Sequence, residues 1–411
     1  MDQDQQTHTE SPLAESDLPV LYLKRGEDRR LRAGHLWVFS NEVDTKLSPL
    51  NQFQPGEPVV IAGNNGRALG SGYINPNSLI CARLVDRHMH VIDSSLFTHR
   101  LNVALALRER LYSAPYYRLV YGESDGLPGL TIDRFNDVVV AQATTAGMER
   151  LRDEIDQALI KVLKPSSIVW KNDSSARTME QLPSEVICSL GEMPTELEVH
   201  EGEQRFAIDV EGGQKTGWFY DQRANRELLL PLLKGARVLD LFSYVGAWGL
   251  RAAAAGAEFV TCVDASAEAV ARVEKNAAIN KVTDRVEAIK LDAFDFLRNA
   301  RAERQHWDVV ILDPPAFVKR KKDFKEGALA YRRINEAAMQ VLSRDGLLVS
   351  ASCSYHMSRA SLLEAIQAGA RHLDRQVQVI AQLQQSPDHP LQAAIAETEY
   401  LKGFICRVLP A

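Results

Sequence analysis

The chain has 411 residues, 45% of them hydrophobic and 25% charged, with a formal net charge of −6. That composition belongs to an ordinary globular protein, and the length exceeds what one core usually serves, so two or three domains are expected. No run approaches the roughly 20 apolar residues that cross a bilayer, residues 1–17 lack the basic start and apolar stretch of a secretory leader, and the five cysteines (Cys81, Cys188, Cys262, Cys353 and Cys406) are too scattered for a disulfide framework or a structural zinc site. A membrane role and a bound metal are therefore not expected, and a reducing cytoplasm is the expected setting.

Residues 1–17 carry five acids and no Lys or Arg, the pattern of a disordered acidic tail. Without them the chain is close to neutral, so any affinity for nucleic acid must come from local patches. Residues 18–93 read as short strands at 21–23, 59–61 and 79–84, separated by turns rich in Gly, Pro and Asn, which predicts a small β-barrel. Residues 94–198 mix helices at 97–113 and 148–163 with strands at 119–121, 130–134, 138–143 and 167–171, and Asn136-Asp137 reads as a hairpin turn. This predicts an α+β connector. Residues 199–411 alternate strand and helix: strands at 238–242, 259–264, 286–291, 309–312 and 346–352, helices at 248–255 and 267–280. Apolar strands alternating with helices predict an α/β domain with a parallel, doubly wound, Rossmann-like sheet.

In such a sheet ligands bind outside the carboxyl ends of the strands. Asp240 ends the first strand and Gly246 lies in the turn before the helix, where glycine lets the backbone approach a ligand. The loop from Asp240 through Phe242 and Tyr244 to Gly246 is expected to wrap a cofactor. Asp264, followed by Ala265, ends the second strand and suits the two ribose hydroxyls of a nucleoside. Asp292 and Ala293, after the third strand, suit an adenine amino group. A dinucleotide-binding site would also use glycines and a distant acid, but the full G-x-G-x-x-G is missing, with Ser243, Tyr244 and Val245 in its place. S-adenosylmethionine has no pyrophosphate and needs no such cradle, so a methyl donor is the better expectation.

Asp313-Pro314-Pro315 ends the fourth strand, and the prolines fix a stiff turn there. The Asp313 carboxylate and the Pro314 carbonyl would then face the methyl-transfer centre, and Phe317 could stack on a base. The plainer reading is a strand terminator with a solvated acid. Cys353 follows the fifth strand within SASCS. A buried inert thiol is the usual fate of a free cysteine, yet this one ends a strand at the same cleft. A thiolate adding to carbon 6 of cytosine would make carbon 5 nucleophilic enough to take a methyl group, which needs an accessible thiol of lowered pKa. His356 and the neighbouring basic run are the sequence candidates for lowering it. That run, Lys319, Arg320, Lys321 and Lys322, continues to Lys325, Arg332 and Arg333, and a second cluster spans Lys24, Arg25, Arg29, Arg30, Arg32 and His35. Charge runs are usually solvated faces, but two patches on a near-neutral chain suit a polyanion held through its phosphates.

QKTGWFYDQRANR, residues 214–226, joins aromatics to Asp221 and Arg223 and could cap the cofactor, or Asp221 could simply be the N-cap of the helix that follows. His389, in a polar loop, is a candidate general base.

The strings GQKTGWFYDQR, VLDLFSYVGAWG, LDPPAFVK and SCS, with PDHP and TEYLKGF near the end, resemble the bacterial large-subunit ribosomal RNA cytosine-C5 methyltransferase family with an N-terminal PUA domain. The resemblance covers nearly the whole chain beyond the tail. It implies a PUA RNA-binding module at 18–93, a connector at 94–198 and a catalytic domain at 199–411. It further implies methyl transfer from S-adenosylmethionine to carbon 5 of a cytosine in 23S ribosomal RNA, free or within an assembly particle. The family's nucleophile falls on Cys353, its acid on Asp313 and its ribose-binding acid on Asp264. Many relatives have a second cysteine beside the motif proline; here Pro315 and Ala316 stand there, so Asp313, His389 or water would have to take the C5 proton. An RNA amino-group or guanine methyltransferase on the same scaffold, and a non-catalytic ribosome-assembly factor, are the competing readings.

Overall fold

A computed structural model describes residues 17–411, so the expected acidic tail lies almost wholly outside the described residues. The chain divides into two compact units, one ending at Pro194 and also containing Pro390–Thr398, the other spanning Thr195–His389 and Glu399–Ala411. Among the described residues no helix is long and apolar enough to cross a membrane.

The first unit contains two five-stranded sheets. One has the order Val20–Tyr22, Glu57–Ala62, Ala68–Ile74, Ile80–Asp86, Trp37–Phe39; the other runs Glu185–Leu190, Ser167–Asn172, Val138–Ala143, Leu130–Phe135, Tyr116–Tyr121. The hairpin predicted at Asn136-Asp137 is present, with Asn136 left-handed at φ 59. The predicted helix at 148–163 is instead two, Ala146–Arg150 and Arg152–Leu163, separated at Leu151. The two sheets share packing. Gly147 lies against the Tyr73 ring, where a Cβ would sit 2.1 Å from a ring carbon. The Tyr73 hydroxyl donates to the Pro128 carbonyl at 2.6 Å, and the buried Glu180 carboxylate accepts from Asn75 at 2.7 Å and Arg83 at 3.2 Å.

The second unit is built on one seven-stranded sheet: β1 (Arg237–Leu241), β2 (Phe259–Asp264), β3 (Val286–Lys290), β4 (Trp307–Leu312), β5 (Leu342–Ser352), β6 (Arg375–Gln384) and β7 (Lys402–Pro410). The spatial order is β3-β2-β1-β4-β5-β7-β6. The first five strands are parallel, as the alternating pattern predicts, and β7 pairs antiparallel with both β5 and β6. β6 escapes a sequence reading because half of it is Gln and Arg, the polar outer strand of the sheet. Before the sheet comes α1 (Arg223–Leu229); α2 (Ala247–Ala254) and α3 (Ala267–Ile279) follow β1 and β2. On the other face α4 (Ala293–Ala302), α5 (Phe324–Gln340) and α6 (Arg359–His372) cover a core that includes Leu239, Leu241, Val310, Leu348, Ile334 and Ile366. The strand order reverses between β1 and β4, and the carboxyl ends flanking that reversal form the crevice where open α/β sheets bind ligands.

Candidate active site

A cavity of about 550 Å³ opens at those carboxyl ends. All five parallel strands supply its wall with the residues that follow them: Phe242 and Tyr244 after β1, Asp264 and Ala265 at β2, Asp292 and Ala293 after β3, Asp313 to Pro315 after β4, and Cys353 after β5. The segment from Gln214 to Gln222 covers it.

The β1 turn is strained: Phe242 and Tyr244 are both left-handed, at φ 61 and 49, conformations that non-glycine residues hold only when their surroundings enforce them. The enforcement is visible. The Tyr244 amide donates to Asp264 Oδ2 at 2.9 Å, the Ser243 amide to the Val263 carbonyl at 3.1 Å, and the Tyr244 hydroxyl to the Gly217 carbonyl at 3.2 Å. Gly246 closes the turn at φ 84, and a Cβ there would meet Leu250 at 3.1 Å. Gly246 and Asp240 lie outside the cavity wall and act through the backbone. Asp240 is buried and accepts from the Gly249 amide at 2.9 Å, tying β1 to α2. Burial pushes its carboxyl up to about 8 against that hydrogen bond, and the charges of Asp313 and Asp264 add to the rise.

Asp264 takes the Tyr244 and Ser266 amides, one on each oxygen at 2.9 Å. A carboxylate oxygen has two lone pairs, so each can accept a further hydroxyl from the cavity side. Asp292 is the N-cap of α4, accepting from the Phe294 and Asp295 amides through Oδ1 at 2.8 and 3.2 Å, which leaves Oδ2 for a donor in the cavity. Acids at the ends of β2 and β3, with Phe242 and Tyr244 in the same wall, fit a nucleoside-bearing group.

Asp313 receives Gln222 Nε2 on Oδ1 at 2.9 Å and Trp248 Nε1 on Oδ2 at 3.2 Å. Gln222 is aimed by Asn225, which donates to its Oε1 at 2.6 Å. Burial pushes the Asp313 carboxyl up to about 6 and Asp221 adds to this, while the Trp248 hydrogen bond, the Arg226 charge and the Gln222 hydrogen bond pull it back. Arg226 is itself buried, gripping Glu201 through Nε at 2.6 Å and Nη2 at 2.5 Å beneath the Trp218 and Trp248 rings.

Cys353 is half-buried, with Sγ 4.0 Å from the Pro314 carbonyl oxygen. Burial pushes its thiol up, Lys215 pulls it down, and Asp313 and Asp221 raise it further. This corrects the expectation that His356 and the basic run lower it. The His356 ring packs edge-on against Tyr355, and Lys319, Arg320, Lys321 and Lys322 are exposed outside the cavity, Arg320 pairing with Asp323 at 2.9 Å. Phe317 also lies outside the wall, turned into the core against Tyr331 (ring centroids 4.9 Å) and Phe242 (6.4 Å). Asp221 lies in the wall but is not an N-cap. It sits in the short turn Tyr220–Gln222, Gln222 precedes α1 without a side-chain cap, and the Asp221 carboxylate accepts from the Tyr400 hydroxyl. Arg223 faces away, its Nε 3.8 Å from Glu201 and its guanidinium over Tyr220. His389 is buried beside Asp388, Nδ1 to Oδ1 2.9 Å, and does not reach the cavity wall.

The Ribosomal RNA large subunit methyltransferase I of Aliivibrio fischeri (strain MJ11) is 38% identical over 396 residues, covering 95% of this chain and 99% of that one. The chain belongs to the ribosomal RNA large subunit methyltransferase I family. The Klebsiella pneumoniae (strain MGH 78578) member is 36% identical over 407 residues, 97% of this chain and all of that one. Within the family frame, residues 21–87 match a PUA-like domain, and residues 222–350 match a family described as conserved hypothetical protein 95. In fold the chain is similar to a Streptococcus mutans protein described as a candidate SAM-dependent methyltransferase, with a TM-score of 0.80 and 22% identity over 95% of this chain and all of that one. It is equally similar to SMU.776, a candidate methyltransferase solved with SAH, with a TM-score of 0.81 at the same identity and coverage.

Several site residues of this family member escape a sequence reading. Gln222, Trp248, Lys215 and Arg226 all line the cavity. Lys215, Gln222 and Arg226 sit inside the quoted QKTGWFYDQRANR string, yet which of its side chains face inward depends on a single short turn. Glu201, the buried anchor of Arg226, lies in a hairpin (Leu197–Glu201 with Gln204–Ile208) that the strand-helix alternation does not announce.

Proposed function

We propose that the protein transfers a methyl group from S-adenosylmethionine to carbon 5 of a cytosine in 23S ribosomal RNA, in the cytoplasm, through a covalent Cys353–C6 adduct. The observation that carries this reading is the meeting of Cys353, Asp313, Asp264 and Asp292 in one cavity wall. S-adenosylmethionine, when bound, supplies an electrophilic methyl group. Asp264 holds its ribose hydroxyls, Asp292 its adenine amine, and the Phe242-to-Tyr244 turn its methionine end.

The Cys353 thiolate adds to carbon 6 of the cytosine, and the ring electrons shift to carbon 5, which takes the methyl group while the sulfonium bond pair stays on sulfur. Asp313 then accepts the C5 proton. Its two N–H donors and a carboxyl ionising at about 6 make it a carboxylate at neutral pH. Expulsion of the thiolate restores the ring. A cytosine stacked in a duplex cannot reach such a cavity, so the target is unpaired or flipped out. The exposed run Lys319 to Lys322 positions the RNA through phosphates, together with the PUA-like module at 18–93. An amino-group methyltransferase would want an aromatic facing the base, and Phe317 is packed inward instead. The test is Cys353→Ala with methyl donor and ribosomal RNA: methyl transfer should be abolished, and full activity would overturn the covalent route.

A further inference from the structure

Lys402, the first residue of β7, pairs across to Ser352 of β5, the residue before Cys353. It is only 4% exposed. Holding an ammonium in the interior is costly unless an opposite charge compensates. Among the described residues no carboxylate lies within ion-pairing distance of this amine; its Nζ donates to the Ser354 carbonyl at 2.8 Å. Glu399 favours its charged form but is engaged by Arg359 at 3.5 Å, and Arg359 opposes it. The other group that favours the charged amine is the Cys353 sulfur, while burial pulls the amine down to about 8.

The turn that carries the thiol is fastened on both sides. Ser352 Oγ donates to the Tyr331 hydroxyl at 2.8 Å, that hydroxyl pairs with Ser354 Oγ at 2.9 Å, and the Val318 amide donates to Ser354 Oγ at 3.1 Å. Cys353 therefore sits between two anchored serines, with a buried cation tied to the carbonyl of the second.

We propose that Lys402 is a positioning residue for Cys353: its hydrogen bond fixes the Ser352-to-Ser354 turn, and its charge, acting from behind the cavity wall, sustains the thiolate. This rests on Cys353 being the nucleophile. Lys215 acts in the same direction from the cavity side, and Asp313 and Asp221 act against both. The support operates while the amine is protonated and fades as pH rises through about 8.

The test reads the thiol itself. Alkylation of Cys353 by iodoacetamide, followed by peptide mass spectrometry from pH 6 to 10 in the full chain, should be about tenfold slower at pH 8 in Lys402→Met than in wild type, because only the thiolate reacts. Lys402→Arg should restore most of the rate. Superimposable alkylation profiles for wild type and Lys402→Met, or a slowed Lys402→Met profile that Lys402→Arg does not recover, would overturn the proposal. Methyl transfer persisting in Cys353→Ala would instead remove the nucleophile reading while leaving the alkylation comparison intact.

Discussion

Replacing Glu201 by Gln should cost the second unit about 3–5 kcal/mol at neutral pH, the usual result of removing one partner from a buried ion pair. The carboxylate is 1% exposed and takes Arg226 through two bonds at 2.6 and 2.5 Å and Arg251 at 2.9 Å, with Arg223 3.8 Å away. Against the burial that opposes ionisation, these charges hold the carboxyl at about 2 instead of 4.5. That gap corresponds to about 3 kcal/mol, in line with the ion-pair figure. The folded value is depressed, so the stabilisation is complete above the unfolded value near 4.5 and is lost as pH falls toward about 2. Gln keeps the shape but leaves the Arg226 guanidinium buried without its anion and Arg251 with only Glu227, at 2.8 Å. The disturbance reaches the cavity, because Arg226 lies under Trp248, which donates to Asp313. Urea unfolding followed by tryptophan fluorescence should show a lower midpoint with an unchanged slope, and the gap between variant and wild type should narrow as pH is lowered from 5 toward 2.5. A loss below about 1 kcal/mol at pH 7, or a gap indifferent to pH across that window, would refute the reasoning.

Asp264→Ala should weaken S-adenosylmethionine binding by roughly 10- to 100-fold, the effect of removing one hydrogen bond to a charged group or more; calorimetry checks it, and an unchanged affinity would remove Asp264 from the ribose site. Trp248→Phe deletes a donor that favours the Asp313 carboxylate, so the acid limb of kcat/KM against pH should move above about 6; a limb that stays put would mean that another group sets it. Changing Lys319, Arg320, Lys321 and Lys322 together to Ala should weaken RNA binding and flatten its salt dependence by about 0.7 for each single-strand phosphate no longer neutralised, with methyl-donor affinity unchanged.

The parallel sheet was legible because its strands are near-continuous apolar runs between amphipathic helices, and their ends mark a ligand crevice by topology alone. Asp264, Asp292, Asp313 and Cys353 could be named as wall residues for that reason: each ends a strand or follows one within two residues. Residues whose role depends on a turn were less legible. Phe317 stands two residues beyond the prolines, and its direction is set by Tyr331 of α5, a contact with no local signature. Asp221 reads as an N-cap by spacing, but Tyr400, far along the chain, claims its carboxylate. The thiol's electrostatics were the least legible, since Lys215 and Lys402 approach Cys353 from segments distant in sequence, whereas His356, three residues away, turns toward Tyr355.

The most direct measurement is intact-mass analysis of the full chain incubated with S-adenosylmethionine and ribosomal RNA carrying 5-fluorocytosine, whose fluorine cannot leave as a proton does. A stable protein–RNA adduct that maps to Cys353 and vanishes in Cys353→Ala is the predicted result. Methylated RNA released with no adduct, or an adduct at another residue, would contradict covalent catalysis by this thiol.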